Sequence, residues 1–123
     1  MTDWRAVIIG FGTILVLGIV GLIIPGFGQL LAALIGGFVA GYLAGGGVLS
    51  GLWHGLLAGS LGGILLGVFL FITIVVLGFS LGPVTGAIGG LVGAGSLLII
   101  VIVTMIAALD SAIGGAIGGL LAR

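Results

Sequence analysis

The chain has 123 residues, 62% of them hydrophobic and 3% charged, with a formal net charge of zero and a mean hydropathy of +1.71. No soluble single domain of this size is composed that way, so the sequence reads as an integral membrane protein. It has no basic surface for nucleic acid or anionic lipid, and without cysteine it has neither a disulfide nor a thiol ligand for a metal.

The first predicted span is residues 6–24, preceded by Trp4 and Arg5 as interfacial anchors. Its apolar run is longer than the core of a secretory signal, and no A-x-A-like cleavage site follows closely. Pro25 and Gly26 then break the helix in a tight turn. The second span, 28–44, carries two interleaved rows of small residues, Ala33, Gly37, Gly41 and Gly45 beside Ala32, Gly36, Ala40 and Ala44. One broad face of it is therefore nearly free of side chains. Gly45 to Gly47 supply a flexible link, and Ser50 has the chemistry of an N-cap for the helix that follows.

The third span, 52–79, would measure roughly 42 Å as helix against about 30 Å of hydrocarbon, so it must tilt, bend or protrude. Around its first half, glycine recurs at every fourth position: Gly47, Gly51, Gly55, Gly59, Gly63 and Gly67. In water each interior glycine would cost about 1 kcal/mol relative to alanine. In lipid the same residues cut a groove into which a neighbouring helix can press its backbone. Four residues overshoot a full turn by about 40°, so the stripe predicts a steep right-handed crossing, or two neighbours sharing one helix. The β-branched and aromatic run from Val68 to Leu77 reads as lipid-facing instead.

Gly82 and Pro83 make the next break, and the fourth span is 84–109, opening with small residues four apart at Gly82, Gly86, Gly90 and Ala94. Asp110 and Ser111 follow. The tail, 111–122, places Ile113, Ile117, Leu120 and Leu121 on one face, with Gly114, Gly115, Gly118 and Gly119 beside it. That pattern suits a short C-terminal helix at the interface or a continuation of the span. Val16-Leu17-Gly18, Pro25 and Gly36-Gly37 are echoed by Val76-Leu77-Gly78, Pro83 and Gly89-Gly90, a weak signal of two repeated hairpins with unequal spacing. Four spans put Arg5 and Arg123 on one side with Asp3, Trp53, His54 and Asp110, and leave both proline turns uncharged on the other. Arginine near spans prefers the cytoplasm, so both termini are expected there.

Ile35-Gly36-Gly37-Phe38-Val39-Ala40-Gly41-Tyr42, then Gly51, Trp53-His54-Gly55, Ala58-Gly59 and Gly62-Gly63, and later Asp110-Ser111-Ala112-Ile113-Gly114-Gly115, resemble a family of small haloarchaeal multi-span membrane proteins known as a domain of unknown function. The resemblance covers nearly the whole chain. It implies an archaeal cell membrane and a glycine-packed helical fold, and it brings no activity, ligand or catalytic residue.

Two residues could carry chemistry. Asp110 ends the fourth span if that helix is 84–109, and lies near mid-bilayer if the helix is 96–121. The second frame costs about 2.5 to 3.5 kcal/mol on insertion scales and needs a partner that the neighbouring sequence lacks, so the surface frame is preferred. His54, beside Trp53, reads as an interfacial polar residue, with proton sensing or gating as its functional alternative. Thr13, Gln29, Ser60, Thr73, Ser96 and Thr104 are suited to bonding backbone carbonyls or neighbouring helices. One histidine and scattered carboxylates assemble no hydrolytic constellation, and the glycine pairs lack the context of a nucleotide loop.

The sequence thus predicts an all-α membrane bundle of four spans with glycine-zipper packing through Gly37, Gly41, Gly51, Gly55, Gly59, Gly63, Gly67, Gly86 and Gly90. The expected function is non-enzymatic, with no cofactor, metal or small-molecule substrate. Its partners would be the lipid bilayer and either further copies of itself or a larger membrane complex. The rival is a small ion or proton channel or transporter with Asp110 or His54 on its path.

Overall fold

A computed structural model describes residues 1–122; Arg123, which entered the orientation argument, lies outside them. Four helices follow in order: α1 (Trp4–Gly21), α2 (Phe27–Ala44), α3 (Val48–Ser80) and α4 (Pro83–Leu121). Each is long and apolar enough to cross a membrane, so the chain is an all-α protein with four candidate spans.

Local chemistry sets the ends. Asp3 caps α1, its Oδ1 accepting from the Arg5 and Ala6 N–H groups. α1 stops at Gly21, three residues short of Ile24, because Leu22 to Ile24 wind into a tighter i→i+3 turn ahead of Pro25. α3 begins at Val48 rather than Leu52. Gly45, Gly46 and Gly47 all have positive φ, at 61°, 80° and 90°, a conformation open to glycine that reverses the chain at once. Ser50 consequently sits inside the first turn, and Gly47 is the N-cap. Pro83 starts α4 in the first turn, where its missing N–H costs nothing. From there α4 runs unbroken to Leu121, so the tail is no separate helix but its last three turns.

α1 and α2 have 18 residues each, about 27 Å, whereas α4 has 39, about 58 Å. The short pair therefore covers only one half of the long α3–α4 hairpin. In that half α2 packs on both α1 and α4, and α1 reaches α3. The apolar centre there is small: Val7, Ala40 and Ala58, flanked by Ile14, Leu57 and Leu61. Beyond it α3 and α4 meet each other at Gly67 and Ile100, Phe71 and Gly93, and Gly78 and Gly89, with their outer faces exposed. The N-terminus, the glycine link and Ala122 share one end of the bundle, as the contacts of Asp3 with His54 and Gly45 with Ala122 require.

Candidate functional site

The most constrained region is where three backbones converge on Ser111. A Cβ added at Gly37 of α2 or at Gly55 of α3 would land on the Ser111 carbonyl, and one at Gly59 would lie 2.8 Å from the Ser111 Cβ. The Ser111 side chain is wholly buried. Its Oγ donates to the Gly55 carbonyl at 2.7 Å, a bond between helices 56 residues apart in sequence. One hydroxyl thus fixes the register of α4 on α3 where no large side chain is present to do so.

The glycine stripe runs along a single neighbour. Gly51 faces Gly115 and Gly119, Gly55 faces Ser111 and Gly115, Gly59 faces Ala108 and Ser111, Gly63 faces Thr104, and Gly67 faces Ile100. The sharing of the stripe between two neighbours, one of the two expected outcomes, is not what occurs. The contact row on α4 also advances by about four residues, so both rows drift together and stay in register. α3 meets α1 through Gly62, off the stripe, near Phe11 and Ile14.

The two small-residue rows of α2 divide the work differently. Gly36 lies against Gly10 and Ile14 of α1, and Ala40 against Gly10, while Gly37 and Gly41 lie against Ser111 and Gly115 of α4. The tail of α4 mirrors this. Gly115 and Gly119 meet α3, whereas Gly114 and Gly118 meet the main chain of Leu34, Phe38 and Tyr42 on α2. These four tail glycines lie outside the predicted packing set, as do Gly10, Gly21, Gly28 and Gly36, which also make close contacts. For the tail the available signal was the glycine pair repeated after four residues, the same double row that was recognised in α2. Gly86 is covered by the Phe79 ring, but Gly90 has open space where a Cβ would be and packs against nothing. Its place is taken by Gly89, whose Cβ position is 3.3 Å from the Gly78 Cα.

Asp110 does not end its helix. It lies eleven residues before the end of α4, beside the Ser111 junction, and its Oδ2 is buried with no hydrogen-bond partner among the described residues. The glycine-rich tail continues the helix past it, so α4 does not stop at Leu109. Depth along α4 puts the carboxylate about 16 Å from the helix end.

His54 departs from the interfacial reading as well, being only 2% exposed. Its Nε2 accepts from the Asp3 backbone N–H at 2.8 Å, and its Nδ1 is 2.7 Å from the Ser50 carbonyl. Trp53 Nε1 donates to Thr2 Oγ1 at 3.2 Å, adding a second tie to the N-terminus. His54 and Asp110 are thus held at different helix junctions and form no common constellation. The remaining hydroxyls of Thr13, Ser60, Thr73 and Ser96 donate to carbonyls of their own helices, and Gln29 Nε2 donates to the Gly18 carbonyl of α1 at 2.9 Å. Thr104 instead fills the space over Gly63.

Among the described residues no group of three or more His, Cys, Asp or Glu side chains comes together to hold a metal ion. An open apolar groove of about 370 Å³ runs between α3 and α4 past Gly63, Gly67, Ile100, Thr104 and Met105; it offers contact surface and no reactive group. Residues 4–121 match DUF5518, described as a family of unknown function. No curated protein and no solved structure matches the chain.

Proposed function

The chain belongs to the DUF5518 family, and from the geometry of its four apolar helices we propose that it is a non-enzymatic membrane protein whose work is packing, as a homo-oligomer or as a small subunit of a larger membrane complex. The observation that carries this is the mismatch of lengths. α4 spans about 58 Å and α1 about 27 Å, against a hydrocarbon core of about 30 Å. The half of the hairpin beyond α1 and α2 is apolar on its outer faces, with Leu65, Phe69, Leu98 and Val101 all more than half exposed. Tilt alone would have to approach 60° to submerge it, well outside the usual range of membrane helices. Neighbouring protein would cover the same surface without that tilt. The ring nitrogens of His54 are committed to Asp3 and Ser50, a structural role that fits the packing reading.

The same reading sets the protein in an archaeal cell membrane with both termini cytoplasmic, on the resemblance to haloarchaeal proteins and the preference of arginine for that side. Single cysteines at Thr2 and Gly26 test it, since the chain has none of its own. An impermeant reagent added outside should label position 26 and spare position 2, and the reverse pattern defeats the orientation.

One observation favours the rival, a small ion or proton pathway. The Asp110 Oδ2 is buried with no hydrogen-bond partner among the described residues, in a helix long and apolar enough to span a membrane, and such a carboxylate is costly and often functional. Both readings meet in one experiment on reconstituted protein. Packing predicts a mass in mild detergent above that of one chain, alone or with a co-purifying membrane partner, and no pH-driven or cation-driven flux that Asp110→Asn removes. A monodisperse single chain with a flux lost in Asp110→Asn reverses the ranking.

A further inference from the structure

The N-terminus is fastened to α3 by a contact that exists in only one protonation state of its histidine. A backbone N–H can only donate, so the 2.8 Å contact from Asp3 N requires a bare lone pair on Nε2 of His54. The ring proton then resides on Nδ1 and is donated to the Ser50 carbonyl, 2.7 Å away, with Ser50 Oγ at 3.4 Å. Both nitrogens of the neutral ring are satisfied, in a position that is almost wholly buried.

We propose that His54 is a proton-operated latch between α1 and α3, holding the N-terminus on the bundle when the ring is neutral and releasing it when the ring is protonated. Protonation puts a second N–H on Nε2, facing the Asp3 N–H, so two donors oppose each other where a hydrogen bond had been. The new N–H needs an acceptor, and Asp3 carries a carboxylate beside the opposed N–H. Its Oδ1 caps α1 by accepting from the Arg5 and Ala6 N–H groups, so a swing of that carboxylate toward the ring disturbs the cap. Either outcome moves the start of α1. Release also opens the cavity of about 450 Å³ at this end, which Met1, Thr2, Leu49, Ser50 and Trp53 line together with His54.

The ionisable surroundings are few. From α1 and its lead-in come the Met1 amine, the Asp3 carboxylate and Arg5. α4 presents Gly115 and Gly119 to this part of α3, with Asp110 one residue before the Ser111 that meets Gly55. On α2, Tyr42 stacks on Phe38. Neither Asp110 nor Tyr42 is hydrogen-bonded to the ring. The latch does not depend on the packing reading above, because its parts all lie within one chain.

His54 is the sole histidine, so ¹⁵N spectra of labelled imidazole in reconstituted protein report it alone. In alkaline medium the spectrum should show a protonated Nδ1 and a bare Nε2, and acidification should add the second ring proton. Spin labels at the exposed positions Ile8 and Leu49 should give one narrow distance at the higher pH and gain a longer population at the lower. His54→Gln, whose side-chain oxygen can accept from Asp3 N without titrating, should keep the narrow distance at both, and His54→Ala should show the longer population at both. A proton on Nε2 in the alkaline spectrum, a wild-type distance that ignores pH, or an acid-induced opening that persists in His54→Gln would each overturn the latch. If the Gln variant fails to fold, the wild-type tautomer and distance decide alone.

Discussion

The two halves of the α3–α4 hairpin use the same residue for different ends. Near the termini Gly51 and Gly55 lie against the backbone of Gly115, so that main chain touches main chain. In the far half Gly86 lies beneath the Phe79 ring and Gly93 beneath the Phe71 ring. There glycine makes room for a side chain. Where α2 must also reach α4, no thickness is left between the backbones for a side chain larger than that of Ser111. Where only two helices meet, one aromatic can lean across and fill the gap. The meaning of a glycine in such a chain therefore depends on how many helices share the junction.

Substitutions that add a single methyl turn this contrast into measurements. The largest effect is expected at Gly41→Ala, whose Cβ would fall on the Gly115 carbonyl. Neither backbone can yield without displacing a helix, so the loss of stability should reach or exceed the upper end of the usual range of about 1 to 3 kcal/mol for overpacking. Thermal unfolding in detergent, followed together with particle size, measures it, and an unchanged melting temperature would show that α2 and α4 are not in contact there.

At Gly59→Ala two effects oppose each other. The new Cβ would lie 2.8 Å from the Ser111 Cβ and 2.9 Å from the Ala108 Cα, while helix propensity favours alanine by up to about 1 kcal/mol. We expect packing to prevail and the protein to be moderately destabilised, with Gly59→Leu disrupting the fold. Stabilisation by Gly59→Ala would mean that α3 and α4 separate easily at this level.

The smallest effects belong to the far half. Leu70→Ala should cost less than Gly59→Ala, because Leu70 is 38% exposed within the chain and a contact with lipid loses little when shortened. Gly90→Ala, with nothing within 4 Å of its Cβ position, should be neutral or stabilise by up to about 1 kcal/mol. A clear loss at either position, read by the same melting assay, would place neighbouring protein on that surface and sharpen the case for assembly.

Much of this contrast was legible in the residues. The run Val68 to Leu77 is lipid-facing only in part: Val68, Phe69, Val76 and Leu77 are all more than half exposed, while Phe71 and Ile74 turn onto Gly93 of α4. The double row of α2 correctly signalled a face bare of side chains. The tail stays open between an interfacial helix and a continuation of α4 for a physical reason: glycine pairs beside Ile113 and Ile117 have the same pattern whether their bare side meets water, headgroups or two other helices. Asp110 was assigned with it. Once Gly114 to Gly119 are the centre of the bundle rather than its fringe, the carboxylate moves from a helix end to a helix interior. His54 escaped for another reason. Its acceptor role is set by Asp3, 51 residues away, and no local pattern announces a backbone donor.

Composition and periodicity alone determined that this chain is helical, that it belongs among membrane proteins, and where its four helices break, because those properties follow from hydropathy, proline and the conformational freedom of glycine at each position. Which glycines face a backbone, which side of α4 is innermost, and that His54 and the Asp110 Oδ2 are buried were decided only when α1 and α2 docked onto one half of the hairpin. A glycine has no side chain to state a preference, so its surroundings are set by what arrives from elsewhere in the chain. The tertiary structure supplies that information through backbone contacts between residues such as Gly41 and Gly115, far apart in sequence and alike in having nothing of their own to show.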